Sequence, residues 1–176
     1  MSPENTQRLY RRFPHLYRFG IEEKGCMCFG ICTGDGWFDL LYRLSQEITE
    51  ECDRLGLMPG MPGYPVVVQV KEKFGTLRFY LRATEPTTEQ PEFTEAEILS
   101  IIKGAGAGHD KMVQLEAEAD AAKQIIIPDS ICALVREAER LSTETCEKCG
   151  APGEIRYGNW VHVHCDGCEA AYRRGE

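Results

Sequence analysis

Cys146 and Cys149 lie in T-C-E-K-C-G, Cys165 and Cys168 lie in H-C-D-G-C, and fifteen residues separate the two pairs. C-x2-C-x15-C-x2-C is the spacing of a zinc ribbon or treble-clef-like knuckle. Each C-x2-C turn brings two sulfurs to one side of a tight loop, and two such turns facing each other supply four thiolates in a tetrahedron. Zn–S bonds of about 2.3 Å, with no geometric preference from d-electrons, make zinc the natural occupant, one structural Zn2+ per chain. Gly150 after Cys149 and Gly167 inside the second pair let the backbone turn around the metal. A redox pair would open a helix within a βαβ unit, and that context is missing. A site closed by four sulfurs has no vertex for water or substrate, so it holds structure and does not catalyse.

Other residues able to do chemistry are less organised. In W-V-H-V-H-C, strand-like alternation places His162 and His164 on one face with Trp160, as surface or supporting histidines on the hairpin of the zinc module. If His164 replaced a cysteine as ligand, the metal site would open. His162, His164 and His109 with nearby acids are therefore the basis of a hydrolase or nuclease reading. No H-E-x-x-H, G-x-S-x-G or P-loop pattern supports that reading. Cys26, Cys28 and Cys32 form C-x-C-x3-C and with Cys52 could make a second metal site, although the spacing matches no common zinc motif. Cys52 and Cys132 fall on apolar helix positions and read as small core residues. The G-A-G-A-G run at 104–108 follows a helix and lacks the G-x-G-x-x-G spacing, so it reads as a hinge.

These residues must be positioned by a small core. At 176 residues the chain can bury one good core, and the simplest organisation is an α+β domain over 1–142 with a zinc-ribbon-like module over 143–176. Ser2 is a helix N-cap, with Pro3 and Glu4 in the first turn, and that helix stops near Pro14. Asp35 caps the clearest helix, whose stripe of Trp37, Leu40, Leu41, Leu44, Ile48, Cys52 and Leu55 has 3.6-residue spacing and closes at Gly56. Residues 66–82 form a β-hairpin turning at Lys73-Phe74-Gly75, with Val66, Val68, Val70, Leu77, Phe79 and Leu81 on its apolar face. A last helix starts at Pro128-Asp129-Ser130, carries Ile131, Leu134, Val135, Ala138 and Leu141, and leads into the metal site. The expected fold is α+β, a small antiparallel sheet packed by helices with a C-terminal zinc ribbon.

Charge is concentrated in two places. Residues 84–125 read as an acidic helical insertion, and between Thr84 and Lys123 nine acidic residues face three lysines, against a net charge of -8 for the chain. Glu92, Glu95, Glu97, Asp110, Glu116, Glu118 and Asp120 are its candidate contact residues, and T-E-A-E at 94–97 is a capping box. On the hairpin, Lys71, Arg78, Tyr80 and Arg82, with Gln69, share a basic, partly aromatic face that could dock an acidic partner or pair internally. An acidic chain is a poor default binder of nucleic acid. The residues that would serve such binding are Arg8, Arg11, Arg12, Lys71, Arg78, Arg82, Arg173 and Arg174, with Tyr157 and Trp160 as stacking surfaces. No apolar run is long enough to cross a bilayer, the polar N-terminus is no secretory signal, and nine ligand-like cysteines fit a reducing cytoplasm.

C-T-G-D-G-W-F-D-L-L, then V-Q-V-K-E-K-F-G-T-L-R-F-Y, then C-E-K-C-G-A-P-G with a closing C-D-G-C together resemble a family of small, mostly uncharacterised phage and prophage proteins. The resemblance covers residues 28–82 and 128–168 and excludes the acidic segment. It implies a cytoplasmic role in an infected bacterium and carries over no catalytic residue. Three function classes follow: a non-enzymatic zinc-binding accessory protein that binds and inhibits a host complex such as a defence system; a zinc-ribbon regulator that binds nucleic acid; and a hydrolase using His162 and His164. The first is favoured, because it accounts for the closed metal site and the localised charge.

Overall fold

The computed structural model describes residues 1–22, 24–84, 126–158 and 160–175. Helix α1 (Pro3–Arg12) begins as its sequence requires: Pro3 opens the first turn, and the Ser2 hydroxyl accepts from the Asn5 backbone N–H at 3.4 Å. Short helix α2 (Arg18–Ile21) and a 3-10 turn (Gly25–Phe29) lead to strand β1 (Ile31–Cys32). A second 3-10 turn (Asp35–Trp37) precedes the long helix α3 (Phe38–Leu55). Strands β2 (Pro65–Lys73) and β3 (Thr76–Ala83) form the predicted hairpin, and α4 (Asp129–Ser142) follows. The C-terminal module adds β4 (Glu154–Arg156), β5 (His162–His164) and α5 (Asp166–Arg174).

The architecture is α+β. A three-stranded sheet runs in the order β1-β2-β3, with β2 and β3 antiparallel. It is not purely antiparallel, because β1 joins parallel to β2 at Ile31–Val70 and Cys32–Lys71, a strand too short for a sequence pattern to reveal. Helices α3 and α4 pack on each other, and α4 also packs on β3. The core gathers Leu41, Leu44 and Ile48 of α3 with Val67, Val70, Leu77 and Phe79 of the sheet, Ile131 of α4, and Leu9 and Tyr17 from the N-terminal segment. Fully burying an aliphatic or aromatic side chain of this kind contributes about 1.5–3 kcal/mol, which makes this cluster a main stabilising element among the described residues.

Two details correct the sequence reading. Asp35 does not cap α3. Trp37 occupies that position without a side-chain cap, and the Asp35 carboxylate instead accepts from the Ser2 backbone N–H at 2.7 Å and the Asn5 amide at 3.1 Å. The apolar face of the hairpin also shifts. A bulge between Val67 and Gln69 inserts Val68, so Val67 pairs with Leu81 and is fully buried while Val68 is only half-buried. Val66 is buried too, but opposite Arg82 on the other face. At the end of α3 the predicted stop is present: Gly56 takes the left-handed conformation (φ 69°), while Leu55, expected in the stripe, is exposed.

Candidate metal centre

The first cysteine pair sits in a knuckle immediately after α4. Thr145 Oγ1 donates to the Leu141 carbonyl, the Cys146 N–H to Ala151 O and the Gly150 N–H to Cys146 O, which closes a tight turn around both sulfurs. Gly150 has φ 78°, a conformation that disfavours other residues. The chain then forms the β4–β5 hairpin, with Ile155 opposite Val163, and the Glu147 N–H donates to Val163 O at 2.9 Å. The second pair opens α5. Cys165 is its N-cap, and its sulfur accepts from the Cys168 N–H at 3.5 Å. Gly167 lies inside the helix without a positive φ, so the second turn does not depend on its flexibility.

This arrangement brings all four predicted ligands together. The sulfurs of Cys146, Cys149, Cys165 and Cys168 lie within 4.8 Å of one another, with 3.7 Å between Cys149 and Cys165, and could hold a metal ion. Cys146 is fully buried. The N–H of Cys168 pulls the Cys165 thiol down to about 7, whereas burial pushes the Cys168 thiol up to about 12.

The T-G-D-G-W segment positions this centre, a role that the sequence reading missed. Gly36 N–H donates to the Glu147 carbonyl, Gly34 N–H to the Glu147 carboxylate and Trp37 Nε1 to the Thr145 carbonyl, each at 2.8 Å. A Cβ at Gly36 would lie 2.5 Å from Gly150 N and 2.6 Å from Cys149 N, so no side chain fits there. Trp37, the last residue of this strap, is fully buried and belongs to the core cluster. Burial also pushes the Glu147 carboxyl upward. The readable signal was a pair of glycines flanking one residue before an aromatic, which permits close approach of two backbones. The hairpin adds a second tie: the Leu77 N–H at the edge of β3 donates to the Ser142 hydroxyl at 2.9 Å.

His162 and His164 are not surface residues. Both are buried, at 7% and 8% exposure, and both face Glu169 of α5, which is also buried. Trp160, expected on the same strand, lies before β5 and is 65% exposed. Neither histidine belongs to the four-sulfur group. Hydrogen bonds from His162 and then Arg173 hold the Glu169 carboxyl at about 2, and burial lowers His164.

The other predicted residues fall as follows. Lys71 and Arg78 are cross-strand partners on one face with Tyr80 and Arg82, and the Lys71 ammonium lies 5.7 Å from the Tyr80 ring centre. Arg78 lies 3.9 Å from Glu139 on α4, so internal pairing offsets part of this basic face. Arg8 stacks 4.1 Å above Phe38, Arg12 lies 5.3 Å from the centre of Phe13, and Arg173 is held by Glu169. Among the described residues, Cys26, Cys28, Cys32 and Cys52 do not assemble into a metal-binding group. Cys52 is buried in the core as expected, while Cys132 is half-buried, with its thiol toward Ile127 O. Glu92, Glu95, Glu97, His109, Asp110, Glu116, Glu118 and Asp120, together with the predicted insertion helices and hinge, lie outside the described residues. No helix among the described residues is long and apolar enough to cross a membrane. No family model, curated protein or solved structure matches this chain.

Proposed function

We propose that the chain is a non-enzymatic, zinc-stabilised binding protein that engages a macromolecular complex in the bacterial cytoplasm. The observation that carries this reading is the four-sulfur centre. A tetrahedron with bonds of about 2.3 Å has edges of about 3.8 Å, and the Cys149–Cys165 separation of 3.7 Å fits it. Zinc held by four thiolates has no vertex left for substrate, so its role is to fold the module. What the module then presents is surface: Tyr157, Trp160 and Tyr172 are 83%, 65% and 50% exposed, and Phe74 at the adjoining hairpin turn is 69% exposed. Exposed aromatics of this size favour macromolecular contacts.

A protein partner is favoured over nucleic acid. The chain is acidic, and Arg8, Arg78 and Arg173 are already engaged by Phe38, Glu139 and Glu169. The resemblance to phage and prophage proteins supports a host complex as the target, with a defence system as one such target. Lys71, Arg78, Tyr80 and Arg82 and the acidic segment would supply charge that selects the partner and speeds association.

Affinity capture of the intact, metal-loaded protein from bacterial lysate tests this reading, beside a version lacking residues 86–124 and a Trp160→Ala variant. The expected result is a discrete host complex retained by the intact chain and weakened in both altered forms. Labelled DNA and RNA should bind weakly at physiological salt. Tight nucleic-acid binding with a steep salt dependence, without a captured protein, would replace this function with the regulator reading.

A further inference from the structure

A second set of ligand-type side chains lies beside the cysteines and has different chemistry. His162 and His164 are two apart on β5 and therefore share a face, and Glu169 lies on the first turn of α5, whose N-cap is Cys165. Glu169 Oε2 is 2.9 Å from His162 Nε2 and 3.3 Å from His164 Nδ1. The three ligand atoms lie within 4.8 Å of one another, and all three residues are buried. The two rings turn different nitrogens, Nε2 of His162 and Nδ1 of His164, toward the same carboxylate oxygen. Bonds of about 2.0–2.2 Å in a tetrahedron give ligand edges of about 3.3–3.6 Å, which the 3.3 Å His164 separation matches and the 2.9 Å His162 separation would reach by opening a few tenths of an ångström.

The surroundings also suit a cation. The other Glu169 oxygen accepts from Arg173 Nε at 2.7 Å, which fixes the carboxylate and leaves Oε2 aimed between the rings. The Tyr172 ring covers the pair, with its centre 4.7 Å from that of His162 and 5.6 Å from that of His164. A carboxylate oxygen can accept from both rings, and the same convergence of two desolvated imidazoles on one carboxylate is a ligand set for a cation.

We propose that His162, His164 and Glu169 form a second site for a first-row divalent cation of the zinc class, separate from the four-sulfur centre. Two imidazole nitrogens and one carboxylate oxygen suit Zn2+, Co2+ or Ni2+ and lack the thiolates of the neighbouring site. Three protein ligands leave the fourth position to water or an external donor. Because His164 precedes Cys165 and Glu169 follows Cys168, loading this site would tie β5 to α5 and stiffen the module that carries Trp160 and Tyr172.

Cobalt titration of the metal-free, phosphine-reduced chain tests the site, followed by absorption and by elemental analysis after dialysis. The expected result is two equivalents: one with an intense thiolate-to-cobalt band in the near ultraviolet, one adding only weak visible bands of nitrogen and oxygen ligation. Glu169→Gln, which keeps hydrogen-bonding capacity toward the histidines, and His162→Ala should each weaken the second equivalent by at least about 100-fold and leave the thiolate band intact. A wild-type endpoint of one equivalent carrying the thiolate band overturns the proposal. So does a second equivalent that persists unchanged in both variants. A wild-type endpoint of one equivalent with only the weak bands of nitrogen and oxygen ligation, and no thiolate band, would support this site while sinking the four-sulfur zinc reading, so the two failures are separable.

Discussion

The main core and the cysteine module reach order by opposite means. The core around Leu41, Leu44, Ile48 and Phe79 buries large apolar side chains from α3, the sheet, α4 and the N-terminal segment. Among the described residues of the module, the buried ones are Cys146, His162, Val163, His164 and Glu169, and Val163, the one large aliphatic side chain of the five, is a member of the main core cluster. Apolar burial of that size cannot offset the entropy of ordering some thirty residues at about 1–2 kcal/mol each for the backbone. The comparison indicates where a metal would contribute most: in the cysteine module, whose own apolar burial is small. It also shows what the strap at residues 34–37 does, since it delivers the rigidity of the core to the knuckle through three hydrogen bonds from Gly34, Gly36 and Trp37.

The sharpest way to break this comparison is to take the metal away. With zinc in the four-sulfur site, binding and local folding are one free energy, about 10–16 kcal/mol in small structural sites, far more than the module can replace. Cys149→Ser or strong chelation should therefore abolish zinc at this centre and melt 143–170. Amide exchange should lose protection at Val163 and along α5 while Leu44 and Ile48 in α3 stay protected. Equal loss in α3 would mean one cooperative unit and no division of labour.

Much of this contrast was legible in the sequence, and the part that was not has a physical cause. The cysteine spacing, the α3 stripe with its Gly56 stop, the Ser2 cap and the hairpin all depend on residues close in sequence, where periodicity and turn chemistry are informative. The strap was misread because its partners are more than a hundred residues away: Trp37 meets Thr145 and Gly34 meets Glu147. Asp35 has the composition of a helix cap, but its carboxylate was taken by Ser2 and Asn5, which only the fold brings near. The burial of His162 and His164 was hidden for another reason: Glu169 is only seven and five residues away, but it sits on a helix that folds back over the hairpin. The Val68 bulge defeated a strict period-two reading because one inserted residue puts Val67, not Val66, on the face that Val70 shares.

A smaller perturbation separates the strap from the metal. Gly36→Ala places a methyl group against the backbone of Cys149 and Gly150, where neither neighbour can rotate away. The expected cost is about 1–3 kcal/mol of overpacking, falling on the docking of the knuckle. Zinc affinity, measured by competition with a chromogenic chelator, should drop, while the unfolding midpoint of α3 reported by circular dichroism moves little. Unchanged zinc affinity would show that the strap merely lies against the knuckle and does not organise it.

The mildest test concerns the strap's other end, where Asp35 ties down the N-terminal helix. The Ser2 backbone hydrogen bond is the largest cause holding its carboxyl below the ordinary range, with the Asn5 amide and the N-terminal ammonium acting in the same direction. A carboxyl whose pKa is lower in the folded chain favours folding above its unfolded value of about 3.9 and loses that effect as pH falls through the folded value. Asp35→Asn retains an acceptor oxygen and removes only the charge, at an exposed position screened by salt. The loss should therefore be on the order of 0.5 kcal/mol at pH 7 and shrink toward zero in acid. Urea midpoints of the two proteins from pH 7 down to about pH 3 measure it, and the curves should converge as Asp35 takes up its proton. A difference that stays constant across that range would mean that Asp35 acts by shape and hydrogen bonding alone. The link between α1 and the strap would then be as indifferent to pH as the apolar core behind it.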